Sequence, residues 1–171
     1  MKILVTGNPN FGLAESISKI YTDAKFVTKS AGFDLTSSIK QDELSNIALD
    51  YDVFVLCSYI PDYVPNILLQ KVYDNCKKNN HKIHIIVIGS TVDRVNDGRV
   101  WKYAEEKKAL RDVNDQLYYE GVDTCIINFG FFDSERVADI DRPKMSIEYC
   151  ISIIEWILKQ PHRVKEITVC P

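Results

Sequence analysis

Short apolar segments alternate with longer amphipathic ones along nearly the whole chain, and this alternation leaves few architectures open. Segments 3–6, 26–28, 53–57, 83–89, 124–129 and 167–169 are apolar runs of strand length, whereas 13–21, 42–49, 64–78, 101–119 and 146–159 carry helical patterns, most with an apolar stripe opposite charges. A strand covered on both faces reads as a continuous apolar run, and strands separated by helices pair in parallel through crossovers. The pattern predicts an α/β fold of three layers, a doubly wound parallel sheet with helices on both faces. At 171 residues the chain suits one core, so residues 1–171 are expected to form a single domain. Between Thr28 and Asp42 the crossover leaves little room for a full helix, which predicts an abbreviated sheet edge with 33–35 a small strand or loop.

The first strand opens directly into a glycine turn and then a helix, the order that a dinucleotide-binding, Rossmann-like fold requires. The turn runs from Gly7 through Asn8, Asn10 and Phe11 to Gly12 and Leu13. Gly7 permits the tight bend, Gly12 lets backbone approach a pyrophosphate, and the amides opening the helix face its charge. An ordinary strand–helix turn is the competing reading. In such folds an acid closing the second strand bonds the ribose 2′-hydroxyl, while a base there receives a 2′-phosphate. Here the second strand ends in Thr28-Lys29-Ser30, a lysine and no acid, so NADP(H) is expected in preference to NAD(H), although Lys29 can equally be a solvated surface lysine.

A second cluster lies mid-chain. Ser90 ends an apolar strand, and Tyr103 and Lys107 stand four residues apart on one predicted helix face. A phenol titrates near ~10 and exchanges protons poorly at neutrality unless a cation stabilises the phenolate. Lys107 is placed to be that cation, Tyr103 to act as general acid or base, and Ser90 to hold a substrate oxygen by hydrogen bond. Tyr-x-x-x-Lys also occurs by chance on amphipathic helices, so the pair gains weight only beside the glycine turn.

Thr6-Gly7 with Gly12, Ser90, Tyr103-x-x-x-Lys107 and Asn128-Phe129-Gly130 resemble the short-chain dehydrogenase/reductase superfamily in order and spacing, and the chain reads as a short, divergent member. The resemblance implies hydride transfer between a nicotinamide and a small carbonyl or alcohol substrate, with Tyr103 as acid or base. It implies that Asp34-Leu35 line the adenine pocket; the strand Asp52-Val-Phe-Val-Leu56-Cys57-Ser58-Tyr59 departs from the family, occupying the place of its Asn-Asn-Ala-Gly. Phe129 and Gly130 would lie beside the nicotinamide, Ser134 would bond its carboxamide, and Asn66 would be the helix asparagine that supports a water leading to Lys107. A homodimer or homotetramer, built through segments 64–78 and 101–119, is also implied. The departures are Ala14 for a third glycine, one extra residue in the turn, Phe129 for the family's proline and little length for a lid between Gly130 and Ser146. They keep open a catalytically degenerate dinucleotide-binding sensor or partner protein. A sugar-nucleotide epimerase or reductase shares the triad, and is not expected because such enzymes carry a C-terminal substrate domain that residues 1–171 do not supply.

Composition narrows the remaining classes. A formal net charge of −3 with 26% charged residues suggests no polyanion-binding surface, so nucleic acid is not expected as a partner. No apolar run approaches the roughly 20 residues of a membrane span, and the N-terminus lacks a secretory leader, so a soluble cytoplasmic protein is expected. Cys57, Cys76, Cys125, Cys150 and Cys170 include no Cys-x-x-Cys pair and read as reduced thiols. His81 and His84 have no acidic or cysteine partner at ligand spacing, and no metal is predicted.

Overall fold

The computed structural model describes residues 1–94 and 101–171. Six strands form one parallel sheet: β1 (Ile3–Thr6), β2 (Lys25–Val27), β3 (Val53–Leu56), β4 (His84–Ile88), β5 (Thr124–Phe129) and β6 (Glu166–Val169), in the spatial order β2-β1-β3-β4-β5-β6. Five α-helices lie between them among the described residues: α1 (Gly12–Ile20), α2 (Ser38–Ile47), α3 (Val64–Lys78), α4 (Lys102–Tyr119) and α5 (Ile147–Leu158). The chain leaves β1 for the edge strand β2, then crosses back so that β3 pairs with the other side of β1. That reversal puts the topological switch at the carboxyl ends of β1 and β3, where open α/β sheets bind ligands.

Alternate residues of each strand feed two cores. Leu4, Phe54, Leu56, Ile85, Val87 and Ile126 pack with Leu44, Leu68, Val72 and Leu110 of α2, α3 and α4. Ile3, Val5, Val53, Val55, Ile86, Ile88 and Ile127 pack with Leu13 and Ile17 of α1 and with Ile151, Ile154 and Ile157 of α5. Both faces are therefore apolar, and the predicted three-layer fold is observed.

The abbreviated edge is also observed. After β2 a single 3-10 turn, Lys29–Ala31, ends in left-handed Gly32 (φ 87°), and no strand lies outside β2 among the described residues. The helix predicted over 42–49 begins earlier, at Ser38, because its inward positions include Gln41 and Ser45 and present no apolar stripe there. Gln41 is buried by donating its side-chain amide to Leu35 O at 2.9 Å.

Two polar networks bind the far half. Fully buried Asn114 of α4 accepts from Thr124 Oγ1 at 2.7 Å and donates to Lys165 O, tying α4 to β5 and to the approach of β6. Asn128 donates to Glu166 Oε1 at 2.8 Å, and Arg94 pairs with the same carboxylate. This network fits tightly over Gly89, where an added Cβ would stand 2.2 Å from Asn128 Oδ1 and 3.0 Å from Ile126. Gly89→Ala is therefore expected to displace Asn128 and destabilise the protein by about 1–3 kcal/mol, read as a lower urea midpoint at unchanged slope.

Candidate active site

The carboxyl edge of the sheet gathers both predicted clusters. At the end of β1, buried Thr6 accepts the amides of Cys57 at 3.1 Å and Ser58 at 3.2 Å, which fixes the start of the β3–α3 connection across the switch point. Gly7 follows at φ 141°, and a Cβ there would lie 3.1 Å from Ala14 Cβ, so α1 settles closely onto the strand end. Ala14 thereby performs the packing that a third glycine would. Asn8 Oδ1 accepts from the Asn10 amide at 3.0 Å and shapes the turn. Gly12 is left-handed at φ 56° and faces open space, and Phe11 caps α1 without a side-chain hydrogen bond, leaving the first amides directed outward. The Arg136 guanidinium stands 5.4 Å from the Phe11 ring centroid.

Beside this turn lies a cavity of about 460 Å³ lined by Gly7, Asn8, Lys29, Ser30, Asp34, Leu35 and Ser58, all predicted, by Thr36 next to them, and by Val27, Thr28, Phe33 and Ile60, which sequence reasoning did not assign to a site. Thr28 Oγ1 accepts the Ala31 amide and meets Ser30 Oγ at 2.9 Å. Lys29 is not a free cation, because its Nζ lies 2.8 Å from Asp34 Oδ2. The hydrogen bond from Lys29, with those from the Thr36 hydroxyl and amide, holds the Asp34 carboxyl down at about 2.

The second cluster centres on Lys107. This lysine is buried, 5% exposed, and donates to Ile88 O at 2.7 Å, two residues before Ser90. Its Nζ lies 5.8 Å from the ring centroid of Tyr103 and 5.9 Å from that of Tyr59, and the two rings meet edge to face at 4.7 Å. Tyr103 is 36% exposed, so its ring reaches solvent above the buried ammonium. Ser90 Oγ accepts the Val92 amide at 3.2 Å.

Two features of this cluster were not expected: the Tyr59 ring against Tyr103, and buried Glu106. Burial, followed by the hydrogen-bonding and charge effects of Glu106, pushes the Tyr59 phenol up to about 12. Glu106 is 2% exposed; Oε1 accepts the Asp62 amide at 2.9 Å, and Oε2 is buried with no hydrogen-bond partner among the described residues. A signal for Glu106 existed in the helical phase, since it shares the inward face of α4 with Lys107, Leu110, Asn114 and Leu117.

Other predicted residues stand elsewhere or in other roles. Asn66 lies in the first turn of α3 with Oδ1 buried and without a hydrogen-bond partner among the described residues. Phe129 is buried in β5 and meets the Phe132 ring at 5.9 Å, while Gly130 is pressed against the end of the chain, an added Cβ lying 3.1 Å from Pro171 Cδ. Ser134 precedes the 3-10 turn Glu135–Val137 without capping it by its side chain. Burial raises the Cys57 thiol to about 11 against the opposing charges of Lys107 and Arg136, so it is protonated at neutral pH. Segment 91–100, which would help to shape a substrate pocket, falls in part outside the described residues, at 95–100.

A larger cavity, about 640 Å³, opens at the opposite, amino-terminal edge of the sheet and shares no residue with either cluster. Its polar groups largely pair with one another: Tyr73 with Glu120, Lys77 with Tyr73 at 2.8 Å, and His84 with Asp123 at 3.4 Å. Among the described residues no three side chains of metal-ligating type come together, and no helix is long and apolar enough to cross a membrane.

No protein-family model and no curated protein matches the chain. Solved structures do. A short-chain dehydrogenase from Burkholderia cenocepacia J2315 in complex with NADP superposes with a TM-score of 0.75 at 12% identity, over 98% of this chain and 87% of that one. A 4-hydroxyisoleucine dehydrogenase complexed with NADH gives 0.77 at 15%, over 99% and 96%. The 3-alpha-hydroxysteroid dehydrogenase of Pseudomonas sp. B-0831, complexed with NADH, gives 0.76 at 11%, over 99% and 95%. The chain thus has the fold of the short-chain dehydrogenases.

The Lys29–Asp34 pair makes a specific prediction. Because the folded carboxyl titrates below its ordinary value, its stabilising contribution is present above the unfolded value of 3.8 and is lost as pH falls through about 2. A carbon-13 titration of the Asp34 carboxyl is expected to have its midpoint near 2, and Lys29→Met to move it up toward 3.8.

Proposed function

We propose that this protein is an NAD(P)(H)-dependent oxidoreductase that transfers hydride between a nicotinamide and a small carbonyl or alcohol substrate, with Tyr103 as general acid or base. The observation that carries the reading is Lys107, a buried ammonium 5.8 Å from the Tyr103 ring, at the same sheet edge as an open glycine turn. The residues present fit a dinucleotide. Space over Gly12 would admit a pyrophosphate that a side chain would obstruct, the outward amides of α1 favour its charge, and the cavity beside β2 suits an adenosine. Gly7, Asn8, Asn10, Phe11, Gly12 and Leu13 would hold the phosphates. Lys29, Ser30, Asp34, Leu35 and Ser58 would hold the adenosine, and Cys57, Phe129, Gly130 and Ser134 would lie toward the nicotinamide. The bound nicotinamide supplies or accepts the hydride.

The chain's own residues handle the proton. In reduction Tyr103 gives its phenolic proton to the carbonyl oxygen; in oxidation its phenolate takes the proton of the alcohol. Lys107 favours the phenolate by charge, and its bond to Ile88 O fixes it beneath the ring. Ser90 accepts the Val92 amide, which leaves its hydroxyl hydrogen to orient the substrate oxygen. NADP(H) is the preferred cofactor because Lys29 can exchange Asp34 for a 2′-phosphate, a partner with more charge and more acceptors. Asn66 would support a water leading to Lys107. A second reading, a dinucleotide-binding sensor without turnover, draws on Tyr59, whose ring stands against Tyr103 where the resembling family has small residues. Self-association through α3 and α4 would use a surface whose exposed positions include Glu105, Lys108, Asp112 and Gln116 as well as Tyr119.

Titration with NADPH and NADH, followed by nicotinamide fluorescence and thermal shift, tests the premise. NADPH is expected to bind more tightly, and Lys29→Ala to weaken it by about 10–100-fold while leaving NADH nearly unchanged. Binding of neither cofactor would overturn the reading. Tyr103→Phe is expected to lower turnover by about 10²–10⁴-fold with cofactor affinity retained; binding without turnover in the unaltered protein would favour the sensor.

A further inference from the structure

Ser90 stands between two polar contacts that meet on one carboxylate. Its Oγ accepts the Val92 amide at 3.2 Å, so the direction left to its hydroxyl hydrogen depends on where the following 3-10 turn, Thr91–Arg94, stands. At the end of that turn Arg94 donates to Glu166 Oε1, on the first residue of β6 and 72 residues away in sequence. The same oxygen takes the Asn128 side-chain amide at 2.8 Å, and Thr168 Oγ1 lies 3.4 Å from it. Asn128 is buried and stands over Gly89, the residue before Ser90, with Oδ1 2.2 Å from where a Cβ would be. Glu166 therefore reaches both flanks of Ser90, Gly89 through Asn128 and the end of the turn through Arg94.

An ion pair with a half-exposed guanidinium adds little to overall stability, so the worth of this one is geometric. Ser90 lies past the end of β4, where the strand ladder no longer fixes the chain, and a side chain that must meet a substrate oxygen needs a rigid support. Glu166 supplies a fixed point. It pairs across β5 and β6 with Ile126, and Asn128 pairs with Thr168, so the carboxylate and its amide partner are both held by the sheet. We propose that Glu166, acting through Arg94 and Asn128, is a positioning residue that sets the direction of the Ser90 hydroxyl. The inference rests on the reading of Ser90 as the group that orients the substrate oxygen. Glu166 itself touches neither substrate nor cofactor in this arrangement. The glycine turn follows β1, two places from β4 in the sheet, so loss of the Arg94 tie would disturb Ser90 and leave the cofactor cleft intact.

Amide hydrogen exchange at Val92 reads the tie without any turnover. Ser90→Ala removes the acceptor and is expected to speed that exchange by about 10-fold, and Arg94→Met to speed it by a similar factor at a nearly unchanged urea midpoint. In turnover, Arg94→Met is expected to lower kcat by about 10–100-fold with the KM for the nicotinamide cofactor unchanged. In a Ser90→Ala background it is expected to lower kcat no further, because both changes act on one hydroxyl. Glu166→Gln keeps an oxygen for Asn128, loses the charge that faces Arg94, and is expected to follow Arg94→Met in both measurements. Exchange at Val92 that is unmoved in Ser90→Ala or in Arg94→Met overturns the proposal, as do losses of kcat that multiply in the double variant. Should Glu166→Gln fail to fold, the exposed Arg94→Met decides alone. If no nicotinamide dinucleotide binds, the oxidoreductase reading falls, and exchange at Val92 still decides whether the Glu166 tie holds Ser90 in place.

Discussion

A parallel sheet covered on both faces delivers every strand's carboxyl end to the same edge, and the candidate site depends on that directional constraint. Gly7 after β1, Thr28 after β2, Cys57 after β3, Ser90 after β4 and Gly130 after β5 are remote in sequence, yet each lies one or two residues past a strand. The reversal from β2 across β1 to β3 parts the crossover connections, and the opening is kept in shape by one hydroxyl, that of Thr6, which takes two amides from the neighbouring strand end. Backbone groups that would otherwise be buried without partners are satisfied from inside the sheet, so the space above is left to loops and ligands.

Placing adjacent buried charges on one helix turn asks more of the fold than the apolar cores do. Glu106 and Lys107 are each nearly enclosed, at 2% and 5% exposure, and neither is held there by its own propensity. Farther along the same face, Leu110 and Leu117 anchor α4 in the core and Asn114 is tied to β5, so the helix is fixed by its later turns and presents its first turns at the sheet edge. The first turns of α4 are thus supported by packing two or three turns away, which allows them to carry groups that are individually unfavourable.

The elements that were legible in the sequence are those whose burial is continuous. β1 and β5 are uniformly buried and their limits could be read from apolar runs, as could α3, whose stripe includes Leu68, Leu69 and Val72. α2 was misplaced at its start because Gln41 and Ser45 occupy inward positions through local hydrogen bonds, which hydrophobic patterning does not register. Lys29 looked like an uncommitted cation because Asp34, five residues on, becomes its partner only when the left-handed turn at Gly32 folds the segment back. Tyr59 was visible as a departure in the place of small residues, but its meeting with Tyr103 depends on the connection after β3, where two non-glycine residues take positive φ and no sequence pattern announces it.

Between β5 and α5 the chain forms a closed loop. Met145 accepts the Asp133 amide at 2.8 Å and donates its own to Phe131 O at 2.9 Å, so the segment between them is a closed ring hung from the sheet by a two-bond clasp. The entropy of bringing its ends together is settled by the fold itself, and by loop-closure statistics a doubling of its length adds only about 0.6 kcal/mol. Residues within the ring, Arg136 over Phe11 among them, can therefore vary in number and kind with little effect on folding. The clasp separates a segment free to vary in length from the strand ends that must stay fixed, so an insertion there would alter the surroundings of the glycine turn without disturbing the sheet.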